Sequence, residues 1–141
     1  MKPTLLYRIA SVLFILFAVS HTIGVLSTNA PSPEVAGVRA VMNSVHWRFM
    51  GSDITYGGIY LGFGLLLTVA LLFSAFLAWH MGWLARTNPK AIGGLGWAFF
   101  AFAIANLALS WIYFFAGPIV ASTLVAACLG WAAWQVSATK A

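Results

Sequence analysis

Carboxylates are nearly absent: 141 residues include two acidic side chains, Glu34 and Asp53, beside seven lysines and arginines. Charged residues make up 6% of the chain, where a soluble domain carries roughly 25%. So few charges cannot cover the surface of a water-soluble globule, which excludes a soluble enzyme, a disordered tail and a nucleic-acid-binding module. Cysteine is scarce too. Cys128 is the sole thiol and lies inside an apolar run, so there is no internal disulfide and no CxxC metal spacing. It reads as a small apolar side chain. Nucleophile motifs, phosphate loops and dinucleotide fingerprints are also missing.

What remains is apolar. Hydrophobic residues form 62% of the chain and the mean hydropathy is +0.96, the composition of an integral membrane protein. A membrane-spanning helix takes about 20 such residues, so the length allows four. Apolar runs at about 5–26, 54–84, 92–115 and 119–136 supply them. The second exceeds what a bilayer needs, and is expected to tilt or to begin outside the hydrocarbon. Gly117-Pro118 reads as the break between the last two, and Asn88-Pro89 lies between the second and third. Lys2 and Arg8 before an apolar stretch outline a signal peptide. The run continues past His21 to Leu26, however, which favours a retained span.

The long connection, Ser27 to Asp53, carries its own helix signal. Ser32-Pro33-Glu34 combines a capping serine, a proline at the first helical position and an acid in the first turn. Val35, Val38, Val41, Met42, Val45 and Phe49 then recur at three- and four-residue steps. They predict an amphipathic helix over about 33–50, placed at the membrane surface and ended by Gly51. The expected fold is therefore all-α: one transmembrane domain over 1–141, an integral membrane four-helix bundle with an interfacial helix between the first and second spans.

A net charge of +5 here marks topology and not nucleic acid, because the bases flank apolar runs. With the N-terminus inside, Lys2, Arg8, Arg86, Lys90 and Lys140 are cytoplasmic, against Arg39 and Arg48 outside. Both termini are thus expected in the cytoplasm.

Polar side chains inside a bilayer are costly and mark either a site or a helix contact. Counting depth along each span puts His21, Asp53, Tyr56, Tyr60, Asn106 and Ser110 in the outer half. Asp53, Gly57, Tyr60, Gly64 and Thr68 share one stripe. The expected site is an outward-facing polar pocket walled by those six residues, with His46 and Arg48 on its rim. Each has a structural reading beside it: His21 and Asn106 as hydrogen-bonding links between helices, Asp53 as a helix cap or a partner of Arg48, the tyrosines as interfacial aromatics. His80, between Trp79 and Trp83, reads as interfacial.

His21 and His80 fall in opposite halves, roughly 20 Å or more apart, so they cannot both ligate one haem. His21, His46 and Asp53 are suitable ligand types for a metal, but their spacing matches no known motif. No cofactor or metal is expected. His21 with Asp53 also has the composition of an acid–base pair for an isomerase-like step on a hydrophobic substrate.

The run Phe17-Ala18-Val19-Ser20-His21-Thr22-Ile23-Gly24 near the end of a first span, followed by a long outer loop and three more spans, resembles small bacterial four-helix membrane proteins of the DoxX-like type and related uncharacterised families. The shared motif is His21, Thr22 and Gly24. Such families include small subunits that work beside membrane quinone chemistry and many members with no known role, so the resemblance implies a membrane partner or a hydrophobic ligand, and the expected location is the bacterial inner membrane. The expected partners are the bilayer, a lipid-like or quinone-like ligand, and the subunits of a membrane complex or further copies of the chain.

Overall fold

The computed structural model describes residues 1–138, which leaves the expected cytoplasmic Lys140 outside the described part. The elements are α1 (Pro3–Leu26), α2 (Pro33–Ser44), β1 (His46–Phe49), β2 (Ser52–Thr55), α3 (Tyr56–Thr87), a 3-10 turn (Pro89–Ile92), α4 (Leu95–Tyr113) and α5 (Ala116–Ala138). The fold is all-α apart from one two-stranded hairpin. α1, α3, α4 and α5 are each long and apolar enough to cross a membrane. The chain divides into two compact units, one of Met1–Phe17 with Leu71–Ala141, the other of Ala18–Ala70.

The first unit holds the buried core. On α1, Leu6, Tyr7, Ala10 and Phe14 recur every three or four residues. On α3, Leu71, Ala75, Ala78 and Met81 do the same, and on α5 Val125, Ala126, Leu129, Ala132, Ala133 and Val136. Many of these are alanines, and small side chains let apolar helices approach closely. Gly82 continues this pattern: a Cβ there would lie 3.3 Å from the Thr4 carbonyl and 3.4 Å from Tyr7 Cβ. Phe14 stacks on Phe99 with ring centroids 5.8 Å apart. Ser11 donates to the Ala75 carbonyl at 2.8 Å.

α4 and α5 run antiparallel. Trp97 Nε1 donates to Ser137 Oγ at 2.9 Å near one end of the pair, and the buried Ser110 and Ser122 hydroxyls meet at 3.1 Å near the other. The break between them falls at Phe114-Phe115 and not at Gly117-Pro118, which lies inside the first turn of α5. Proline is tolerated there because a first-turn N–H has no intrahelical acceptor to lose.

The second unit corrects one expectation. Its helix α2 starts as read: Ser32 is the N-cap and accepts from the Val35 N–H at 3.4 Å, and Pro33 opens the helix. It stops at Ser44, however, and not at 50. Residues 46–49 form a strand that pairs with 52–55, with His46 opposite Thr55, Trp47 opposite Ile54, Arg48 opposite Asp53 and Phe49 opposite Ser52. The reason is local. Met50 and Gly51 both take positive φ, +51° and +86°, the conformation of a two-residue hairpin turn. Trp47, Phe49, Ile54 and Thr55 are aromatic or β-branched residues that suit strands.

Candidate functional site

The hairpin puts three of the expected residues together. His46, Arg48 and Asp53 are exposed. The Asp53 carboxylate pairs with His46, Nδ1 to Oδ2 at 3.1 Å, although its register partner is Arg48. Around Trp47 lie two aromatic neighbours, Phe49 at 5.6 Å and Tyr56 at 5.8 Å between ring centroids. Tyr56 opens α3, and Tyr60, one turn on, is exposed.

α2 is tied into this unit by polar contacts and not by burial, since none of its residues is buried. Arg39 donates to the Ser27 carbonyl at 2.8 Å. Gly57 has no side chain because the Asn43 amide occupies the place its Cβ would take. Glu34 has its carboxyl held below the ordinary range, first by the Ser32 hydroxyl and then by its own backbone N–H.

His21 belongs to a different cluster, a seam between the C-terminal turns of α1 and the N-terminal half of α3. Its Nε2–H donates to the Gly64 carbonyl at 3.0 Å, which fixes the hydrogen on that nitrogen. The same carbonyl accepts from Thr68 at 3.3 Å, and Thr68 meets the Thr22 hydroxyl at 2.9 Å. Thr22 also donates to the Ala18 carbonyl. At Gly64 the Val25 side chain fills the place of a Cβ, which would lie 2.8 Å from Val25 Cγ1. His21, Thr22, Gly64 and Thr68 therefore form one hydrogen-bonded stitch within the apolar helices.

Asn106 and Ser110 are in the first unit. Asn106 donates to the Phe102 carbonyl at 2.9 Å, and Ser110 donates to the Asn106 carbonyl at 2.8 Å while meeting Ser122. The expected pocket residues thus divide into an exposed hairpin pair, an α1–α3 stitch and an α4–α5 contact. Among the described residues, no three His, Cys, Asp or Glu side chains gather as a metal site.

A cavity does occur in the first unit, lined by none of the expected site residues. It is an open apolar groove of about 690 Å³ along α4 and α5, lined by Phe100, Ile104, Leu107, Thr123, Ala126, Ala127, Gly130, Trp131 and Trp134. Gly130 makes room for the Phe100 ring, whose Cε2 would lie 2.7 Å from a Cβ at that position. Trp131 and Trp134 meet edge to face, centroids 6.3 Å apart. Thr123 is the only hydroxyl residue in the lining, and its Oγ1 donates back to the Ile119 carbonyl at 2.7 Å. Besides that hydroxyl, the side-chain hydrogen-bonding groups of the wall are the indole N–H donors of Trp131 and Trp134.

Two further residues stand out near the start of α1, Tyr7 and Arg8. Tyr7 is fully buried, and its hydroxyl has no hydrogen-bond partner among the described residues. It lies 3.1 Å from where a Gly96 Cβ would stand. Arg8, next to it, lays its guanidinium over the Trp79 ring, 3.5 Å from the centroid. A tyrosine and an arginine near the start of an apolar helix were the available signal, but periodicity does not say what they meet. His80 is exposed, its ring stacked against Phe76 and Trp83. No family model, curated protein or solved structure matches the chain.

Proposed function

We propose that this protein crosses a membrane four times as a helical bundle, and that it holds the hydrocarbon tail of a lipid-like or quinone-like molecule in the α4–α5 groove as a non-catalytic carrier or accessory subunit. The observation that carries the tail site is the groove's wall, about 690 Å³ of apolar lining whose one hydroxyl is already satisfied by its own helix. Ligand pockets span about 300–1,000 Å³ and use polar groups to fix orientation. A wall this apolar, whose polar groups are one self-bonded hydroxyl and two indole N–H donors, suits an alkyl or isoprenoid chain.

Membrane insertion is supported by where the apolar side chains are. Large hydrophobics such as Leu16, Leu66, Ile112 and Leu124 are exposed on α1, α3, α4 and α5, and continuous apolar surface on that scale needs lipid or a protein partner. The hairpin, with His46, Arg48 and Asp53, is the polar part of the outer surface, and α2, whose Val35, Val38 and Val41 are exposed, lies in the interface. The excess of bases at the other ends supports a reading with both termini in the cytoplasm of a bacterial inner membrane, the location expected with the DoxX-like resemblance at His21, Thr22 and Gly24.

The test is extraction of the detergent-purified protein, with mass spectrometry of the hydrophobic molecules retained. Ala127 lines the groove and is exposed, so Ala127→Trp fills the space without disturbing the core. Wild type should retain a tail-bearing molecule in near-stoichiometric amount and the variant should lose it. Equal retention by both overturns the tail site.

A further inference from the structure

The two acids of the chain, Glu34 and Asp53, are both in the second unit, so the first unit has no Asp or Glu at all. It does have Lys2, Arg8, Arg86 and Lys90. These gather at one end: Lys2 directly precedes α1, Arg86 follows Gly82 by one turn, and Lys90 sits in the 3-10 turn that comes next. The Gly82 backbone packs on Thr4, Tyr7 and Arg8, which brings the start of α1 to the end of α3.

Arg8 is the inner member. Its Nε–H is buried with no acceptor among the described residues, and one face of its guanidinium is covered by Trp79. Stacking uses the face of the cation and leaves the N–H groups at its edge. With Nε shut away, the terminal nitrogens must supply the hydrogen bonding that a charged group needs. The first unit has no Asp or Glu side chain to meet them, and a planar fork of that kind matches a phosphate.

We propose that this end of the first unit binds the phosphate headgroup of an anionic phospholipid, with Arg8 as the contact and Lys2, Arg86 and Lys90 as the surrounding field. The site rests on the membrane reading given above, and it goes beyond a rule of loop charges because it names a stacked arginine within a span.

Native mass spectrometry of the full chain in detergent tests it, with phosphatidylglycerol, phosphatidylcholine and inorganic phosphate as separate titrants. Wild type should bind phosphatidylglycerol about fivefold or more tightly than phosphatidylcholine. Arg8→Gln should abolish the preference and Arg8→Lys should keep part of it. If Arg8→Gln loses its helical circular dichroism, the exposed Lys90→Gln is read instead and should reduce the preference. An unchanged preference in the variant that is read overturns the site, as does displacement of the lipid by an equal concentration of phosphate. Flotation with vesicles separates the two failures. A wild type that does not float overturns the membrane reading and the headgroup site together, whereas one that floats without headgroup preference overturns the site alone.

Discussion

Asp53 reaches diagonally across its hairpin to His46, at 3.1 Å, and leaves its register partner Arg48 without an ion pair among the described residues. The pair is about 60% exposed on both sides, where such contacts contribute under about 1 kcal/mol. Asp53→Asn should therefore leave overall stability within about 1 kcal/mol of wild type. Its effect should be confined to faster hydrogen exchange at the hairpin amides, measured residue by residue.

The turn beyond that pair responds to backbone chemistry more strongly. Met50 and Gly51 both have positive φ, and a side chain in that region costs roughly 1–2 kcal/mol. Gly51→Ala should loosen the hairpin. Met50→Asn should tighten it, since Asn-Gly is the preferred pair for this turn. Exchange protection of Phe49 and Ser52 reads both.

His21 is expected to matter for stability more than for a ligand. Leaving a buried donor or acceptor unpaired costs about 1–3 kcal/mol, and the His21 and Thr68 bonds are part-buried, so His21→Ala and Thr68→Val should each lower the unfolding temperature in detergent. Neither should alter the retained hydrophobic molecule. Gly64→Ala should destabilise as well, because its Cβ would lie 2.8 Å from Val25. Loss of the bound molecule in His21→Ala at unchanged stability would place His21 in a binding site.

The N-terminus of α2 carries a pH signature. The Glu34 carboxyl titrates below its ordinary value, chiefly because the Ser32 hydroxyl donates to it. A folded-state value below the unfolded one means that the contribution is fully present above the ordinary carboxylate range and is lost as pH falls through the lowered value. Amide shifts of α2 should follow that direction. Ser32→Ala should move the Glu34 titration back up.

How much of this was readable in advance differs by residue. The four long apolar helices were, because length and composition are properties of each stretch by itself. The helix start at Ser32-Pro33-Glu34 was too, since capping is local. The hairpin was not: Val45 and Phe49 continue the three- and four-residue rhythm of α2, and that rhythm hid the alternation of Trp47 and Phe49 around Met50-Gly51. The spacing of Asp53 places it on a helical stripe with Gly64 and Thr68. Those two do face the same seam, but Asp53 lies on a strand and loses the helical phase. The α4–α5 groove was not legible at all. It depends on Gly130 yielding space to Phe100, a relation between two helices that neither sequence stretch contains.

The four-span reading is tested most directly by spin labels placed one at a time at Leu16, Leu66, Ile112 and Leu124, in a background with Cys128 replaced and the protein reconstituted in vesicles. Collision with oxygen, which concentrates in lipid, should exceed collision with a water-soluble nickel chelate at all four positions. A site on any of these helices where the chelate wins would show that helix facing water, and would contradict four crossings.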